Sequence, residues 1–477
     1  MEKVKEVFSM KNINEENMLC FFIMICPILD MVSFLYRNTF NTNFSPSTII
    51  RPIIPIIIAI YLFFKENKKF RLYTAISVCV YIIYGILHLI VFKTQITKSS
   101  YSNSIHEAQY LVNYSFMILN LFLYLYLFRN NTNQDKLFKS VMIANIIYII
   151  SIYISIFTKT SSSTYIEKIG YKGWFESGNS IGAILILSLF IIIKYIKDKK
   201  YRKIVIPIII LDGIFLTILL GTRVGLIGFI FVIVSYIFSE IIEGVIKRKK
   251  VNKKTIVGGI AVVATVLLIV ITVGSTTLQR RKHLRDIENN IIDESNNQTS
   301  HITGSLLEIK ENIDNATLEE GYMNEEQKKS IIDLYDTANR LKIKNNDQRM
   351  QQLIYHVALI KNQHDLTYIM FGNGYVTSFR ELVLEMEIPA FLFNFGIIGF
   401  ILYFVPFLGI WIYGFYKGIK NIQKIDSTYL ILFIGCSFVF VLSFFAGYTF
   451  FNSSNMIIII VLNTLLVCRT KKFEKEK

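Results

Sequence analysis

The chain has 477 residues, 53% of them hydrophobic and 14% aromatic, and carries a formal charge of +16. Apolar runs spread along nearly the whole length exclude a soluble enzyme on a single anchor and fit a polytopic membrane protein. The charge would suit nucleic acid, but its placement between apolar runs excludes that partner.

A bilayer core needs about 20 apolar residues per helix. In chain order, the runs predict twelve spans, at 18–36, 48–64, 70–92, 107–128, 137–157, 177–193, 204–220, 224–242, 255–273, 389–413, 428–447 and 452–468. No internal repeat is evident. The first run follows a polar head, 1–17, and lacks the small-residue cleavage pattern of a signal peptide, so it is expected to stay as a helix. Lys and Arg concentrate in the head, the even-numbered connections and the tail, as in KENKKFR, KDKKYRK and KRKKVNKK, and are sparse in the short odd-numbered connections. This positive-inside pattern puts both termini in the cytoplasm and the odd-numbered connections outside. The expected division is 1–273 with nine spans, a large extracellular loop at 274–388, and 389–477 with three spans and a cytoplasmic tail.

Cys20, Cys26, Cys79, Cys436 and Cys468 lie in or at the ends of spans, so neither a disulfide framework nor a thiolate metal site is expected. Walker, HExxH, paired CxxC and GxSxG patterns are absent, and no metal or cofactor is expected.

The stretch LLGTRVGLIGFI, 219–230, places a charge in an apolar run. An arginine at the bilayer centre costs at least about 2.5 kcal/mol. The run is long enough for two short spans, which puts Arg223 at a hairpin tip. There it either snorkels to the interface or holds an anionic group of a lipid-linked substrate with its fork of donors. Two intramembrane acids, Asp30 and Asp212, have Arg51, Arg223 and His88 as possible partners. Ser177, Gly178, Asn179 and Ser180 open the sixth span as a capping cluster, unless substrate reaches them.

Within the large loop, Ile331, Leu334, Ala338 and Leu341 fall at helix spacing. In the next piece Met350, Leu353, Ile354, Val357 and Ile360 mark an apolar face, and Arg349, Gln352 and His356 line another. That second face is either ordinary and solvated or part of a site. The chain then turns at FGNGY, 371–375, where Gly372 and Gly374 permit a sharp bend. Arg380, Glu381, Glu385 and Glu387 follow. A carboxylate here either complements the helix dipole or takes a proton from a sugar hydroxyl as general base. Glu385 and Glu387 are two apart, so a helix would not present both on one face.

Three features coincide: LLGTRVGLIGF opening a late span, one large loop after the following span, and FGNGY followed by EMEIPAFLFNFGIIGFILYF. In order and sidedness they resemble the bacterial O-antigen ligase and O-antigen polymerase family, which includes capsule and teichuronic-acid polymerases of Gram-positive bacteria. The matching positions are Thr222-Arg223, Arg349, Gly372 with Gly374, and Gly396-Ile397-Ile398-Gly399. One departure is the lack of a His-Asn pair after the glycine turn, where Glu385-Met386-Glu387 stands instead. It points to a polymerase-like member rather than a ligase to lipid A.

The resemblance implies an all-α, GT-C-like, metal-independent glycosyltransferase of the plasma membrane. It would move glycan from an undecaprenyl-pyrophosphate carrier to a hydroxyl of a glycan acceptor on the outer face. Its partners would be the carrier-linked oligosaccharide, membrane lipid and a chain-length regulator. Arg223, Arg349 and Arg380 would stabilise the leaving pyrophosphate. Thr222, Asn179, Gly372 and Gly374 would contact substrate, and Glu385, Glu387 or His356 would take the acceptor proton. The rival reading is a flippase for the same lipid-linked oligosaccharide, for which internal repeats and helices broken at the midplane are expected.

Overall fold

The computed structural model describes residues 14–42, 45–129, 134–165, 168–248, 253–272, 276–282, 305–343, 347–447 and 449–475. A bilayer core offers no water to backbone N–H and C=O groups, so its apolar runs fold as helices that pair those groups internally. The first five are α1 (Glu15–Phe40), α2 (Pro46–Lys65), α3 (Lys68–Lys93), α4 (Ser104–Phe128) and α5 (Gln134–Phe157). A two-stranded antiparallel hairpin, β1 (Ser162–Ser163) and β2 (Tyr171–Gly173), follows. Next come α6 (Gly178–Ile192), α7 (Lys199–Ile214), α8 (Arg223–Ile246) and α9 (Lys253–Thr272). The loop contributes α10 (Ser305–Asp314), α11 (Glu325–Arg340), α12 (Gln348–Gln363) and α13 (Leu366–Phe371). The chain ends with α14 (Glu387–Tyr403), α15 (Val405–Lys420), α16 (Ser427–Phe445) and α17 (Ser453–Lys475).

Each predicted span falls on one of these helices, the tenth on α14 and α15, which meet at a bend of 45°. Among the described residues, eight helices are long and apolar enough to cross a membrane, or nine if that bent pair is one span. This is fewer than twelve because α7, α9 and α17 are not among them. The protein is an all-α polytopic membrane protein.

The centre of the bundle is α6, a helix apolar all round whose residues are buried except Asn179. It packs on α5, α7, α8, α16 and α17. By contrast α2 and α3 expose most of their apolar side chains, as lipid-facing helices do. The N-terminus of α6, with Ser177 to Ser180, therefore opens in the middle of one end of the bundle.

The loop helices build a small core of their own, including Leu306, Ile331, Leu334, Ala338, Tyr355, Leu359 and Leu382. Ile331, Leu334 and Ala338 are buried as their spacing predicts, whereas Leu341 lies beyond the end of α11 and is exposed. On α12 the predicted apolar face is corrected: Met350 and Val357 are exposed, while Gln351, Gln352, Tyr355, His356 and Leu359 are buried. This helix is packed on two sides, against α11 and against the 3-10 turn Arg380–Leu382 with the residues after it. Polar side chains are needed on the second side, because a short turn and the irregular residues after it bring unpaired backbone groups with them.

The glycine turn has a partner that its sequence does not announce. At Gly396, α14 is broken by a non-helical residue with φ 68°. The carbonyls freed at the break accept from the turn: Asn373 N–H donates to Phe393 O (3.0 Å) and Gly374 N–H to Asn394 O (2.7 Å). A Cβ on Gly372 would stand 2.2 Å from Asn394 O, so only glycine lets the two backbones approach. Side chains of α3 and α4 satisfy what remains. His88 Nδ1 bonds Phe371 O (2.6 Å) and His88 Nε2 bonds Glu107 Oε1 (2.8 Å). Tyr375 N–H donates to Glu107 Oε2 (2.9 Å) and Tyr84 O–H to Phe395 O (2.7 Å). The FGNGY and Gly396-Ile397-Ile398-Gly399 motifs are thus two halves of one joint.

Candidate functional site

The hairpin tip is built by α7, which ends in a π-helical stretch, Phe215–Leu219, followed by a turn at Gly221. Such a stretch leaves carbonyls without their usual i+4 donors. Threonines from elsewhere bond carbonyls of the stretch and of the turn after it: Thr276 Oγ1 donates to Ile218 O (2.8 Å), Thr164 Oγ1 to Leu220 O (2.7 Å) and Thr277 Oγ1 to Thr222 O (3.4 Å). Thr222 is buried and caps α8, its Oγ1 accepting from Gly225 N–H at 3.0 Å. Its neighbour Arg223 is exposed and makes no hydrogen bond or ion pair with a described residue. A guanidinium without a partner among the described residues therefore stands at a tip clamped from two segments, at Thr164 and at Thr276–Thr277. Beside it, Arg280 stacks its guanidinium 3.3 Å from the centre of the Tyr165 ring.

The first turn of α6 separates this tip from a second polar cluster. Gly182 lies against Leu220 and Thr222, and Gly178 lies against Thr164. Asn455 Nδ2 donates to Ser180 Oγ (3.2 Å), joining the starts of α6 and α17. Asn179 is half-buried and is not among the groups that make this junction.

Beyond the junction, Asp30 is the hub of a network. Its carboxylate accepts from Tyr148 O–H (2.7 Å), Ser454 O–H (2.6 Å) and Arg51 Nη2. Arg51 also donates to Ser453 Oγ and Ser454 Oγ. Of the pairings that the sequence leaves open, Asp30–Arg51 is the one formed among the described residues, and His88 pairs instead with Glu107. Asp212 is fully buried against α5 and forms no ion pair with a described residue.

Residues 445–447 and 449–451, at the end of α16 and before α17, bring the loop residues to the same end. Arg349 donates through Nη1 to Phe445 O, through Nη2 to Ala446 O (3.0 Å) and through Nε to Glu385 Oε2 (3.2 Å). Glu387 is fully buried, and its carboxylate accepts from the N–H groups of Thr449 (2.6 Å), Phe450 (2.9 Å) and Phe451 (2.8 Å). Arg380 is exposed on a short 3-10 turn and bonds no described residue through its side chain. Gly372 and Gly374 belong to the joint with α14, where their backbone N–H groups are already engaged.

The face carrying Arg349, Gln352 and His356 is not a solvated one. Gln352 donates through Nε2 to Glu381 O (2.9 Å) and accepts from Glu385 N–H (3.0 Å), and His356 Nε2 lies 3.2 Å from Leu382 O. Together they hold the 381–385 segment, the end of a 3-10 turn and the residues after it, against α12. His356 is fully buried, and burial lowers its pKa to about 4 because a charged imidazolium is poorly solvated there. A depressed native value means that the unfolded chain takes up a proton first as pH falls. The stability that this residue contributes is complete above about pH 6.5 and is lost as pH falls toward 4, on the order of 3 kcal/mol in all. Amide protection factors over 348–386 are expected to fall between pH 6.5 and 5 in the wild-type protein and to stay level in His356→Gln. Equal pH dependence in both would remove the burial argument.

Sequence reasoning missed Arg37, Tyr148, the serines at 453–454 and the clamping threonines. Thr276 and Thr277 stand where a span gives way to a polar segment, and nothing in their pattern marks them. No curated protein and no solved structure matches the chain. The family model described as "O-antigen ligase like membrane protein" matches residues 12–472. Membership of that family implies a glycosyltransferase-type enzyme, a glycan ligase or polymerase whose substrate is a lipid-linked glycan in the membrane. The chain belongs to the O-antigen ligase-like membrane protein family.

Proposed function

We propose that the protein polymerises or ligates surface polysaccharide, taking glycan from an undecaprenyl-pyrophosphate carrier and joining it to a glycan hydroxyl on the outer face of a bacterial plasma membrane. A capsule or teichuronic-acid type of polymer is the product this reading favours. The observation that carries it is Arg223: an exposed cation without a described partner, on a tip whose backbone is clamped by Thr164, Thr276 and Thr277. A preorganised cation is what a leaving pyrophosphate needs, since charge develops there as the bond breaks. The tip, the loop helices α11 and α12 and residues 449–452 share one end, and the distribution of Lys and Arg supports placing that end outside. The GT-C-like architecture and the three-part division of the chain belong to the same proposal.

In this scheme the acceptor oxygen attacks the anomeric carbon as its bond to the pyrophosphate oxygen breaks. The bonding pair leaves on the pyrophosphate, where Arg223 meets the charge, and the acceptor proton passes to a carboxylate. Of the three bases considered, His356 and Glu387 are buried and bonded to backbone, whereas the Glu385 side chain is 32% exposed. Glu385 is therefore assigned as base, and Arg349 positions it while tying the loop to residues 445–446. Such a transfer draws its energy from the carrier-linked donor.

The test is made in cells lacking the protein. They are expected to accumulate single repeat units on the carrier at the outer leaflet, and complementation with wild type restores full-length polymer. If the repeat units are trapped on the cytoplasmic leaflet, the flippase reading replaces this one.

A further inference from the structure

The network around Asp30 forms the floor of an open cleft of about 160 Å³ between α1, α2, the start of α6 and the start of α17. The wall carries the hydroxyls of Ser33, Ser45, Ser47, Thr48, Ser177 and Ser453. At the mouth Arg37 Nη1 meets Glu176 Oε1 at 2.6 Å, a pair with side chains 34% and 50% exposed. Phe175 and Phe451 supply apolar surface in the same wall.

Three properties narrow the ligand. Both guanidiniums are already matched by carboxylates, Arg51 by Asp30 and Arg37 by Glu176, so the cleft offers no net positive charge to a phosphate. Hydroxyls and ion pairs present donors and acceptors side by side, which is what vicinal hydroxyl groups require. Aromatic surface beside such a lining suits the C–H face of a ring. The volume lies below the roughly 300 Å³ at which sites for drug-sized ligands begin, so the space suits one ring rather than a chain of them.

We propose that this cleft is a sugar subsite, binding a single pyranose residue of a neutral glycan, and that it holds the acceptor end while the carrier pyrophosphate stays at the Arg223 tip. The assignment of an acceptor rests on the transferase reading above; the binding of a sugar does not. The two locations lie on opposite sides of the first turn of α6, and that turn becomes the place where acceptor and donor meet.

The chain's two tryptophans provide a direct readout. Trp174 adjoins the cleft residues Phe175 and Glu176 and bonds Thr160 Oγ1 (2.9 Å), whereas Trp411 is stacked between Phe415 and Phe433. Full-length protein carrying Trp411→Phe, in detergent or nanodiscs, is titrated with N-acetylglucosamine, N-acetylgalactosamine, glucose and inorganic pyrophosphate while Trp174 emission is followed. At least one sugar is expected to give a saturable change. Ser45→Phe, which fills the cleft from a position making no side-chain cap bond, is expected to weaken it by about tenfold or more. Glu176→Gln, at a half-exposed site, is expected to leave the melting temperature at the wild-type level, to weaken sugar binding and to let pyrophosphate compete for Arg37. The proposal is overturned if no sugar gives a saturable signal, if Ser45→Phe leaves the affinity unchanged, or if pyrophosphate is the ligand that the wild-type cleft binds. Sugar binding that persists in a protein found to make no polymer would refute the transferase reading and leave the subsite standing.

Discussion

Arg223→Ala is expected to lower the rate of glycan transfer by about 10²–10³, the cost of removing one preorganised stabiliser of a developing negative charge. Thermal stability should stay at the wild-type level, because the side chain is exposed and bonds no described residue. The separation matters, since most substitutions that abolish activity in a membrane protein do so by spoiling the fold. Purified protein, assayed with carrier-linked repeat units and scanned for melting in the same detergent, gives both numbers. Arg223→Lys should recover only part of the rate, for it keeps the charge and loses the planar fork that matches phosphate oxygens. An alanine variant that polymerises at the wild-type rate would reduce Arg223 to an interfacial anchor.

Glu387→Ala is expected to be the most destabilising single change near the site. It leaves three buried N–H groups, at Thr449, Phe450 and Phe451, without an acceptor. Each such loss costs about 1–3 kcal/mol, so a total of at least about 3 kcal/mol is expected. The backbone released is the one that lines the sugar cleft at Phe451 and Asn452 and meets Arg349 at Phe445 and Ala446. Glu387→Gln should fall between alanine and wild type in melting temperature, because an amide keeps one acceptor oxygen and replaces the other with a donor. Activity should track stability across the pair. A glutamine variant with wild-type melting and no activity would instead make Glu387 a proton carrier.

The membrane helices were legible in the sequence because the bilayer imposes a length on every apolar run, and Arg223 stood out because it interrupts one. The tip's position could be read; its clamping could not, since threonine donors to stray carbonyls have no periodicity. For FGNGY, positive-φ glycines announce a bend but not what the bend docks on. The partner, Gly396, is one of two glycines in an apolar helix, and its broken geometry has meaning only once Phe393 O and Asn394 O are seen accepting from the turn. On α12 the apolar periodicity pointed to Met350 and Val357, which are exposed, because hydrophobic counting gives no weight to Gln352 and His356 as partners for irregular backbone. The Asp30–Arg51 pair was one of several open combinations, and only packing of α1 against α2 and α17 selects it.

The joint between the glycine turn and α14 also sets an order of assembly. As the chain emerges, α3 and α4 enter the membrane long before residue 371 is made, and with them His88, Glu107 and Tyr84. A broken α14 arriving in lipid without those acceptors and donors, and without the turn, would expose bare carbonyls to hydrocarbon, at several kcal/mol per group. The early helices therefore act as a template for a late one. A fragment beginning after α4 would carry Arg223, Arg349 and Arg380 and still lack the means to seat the broken helix.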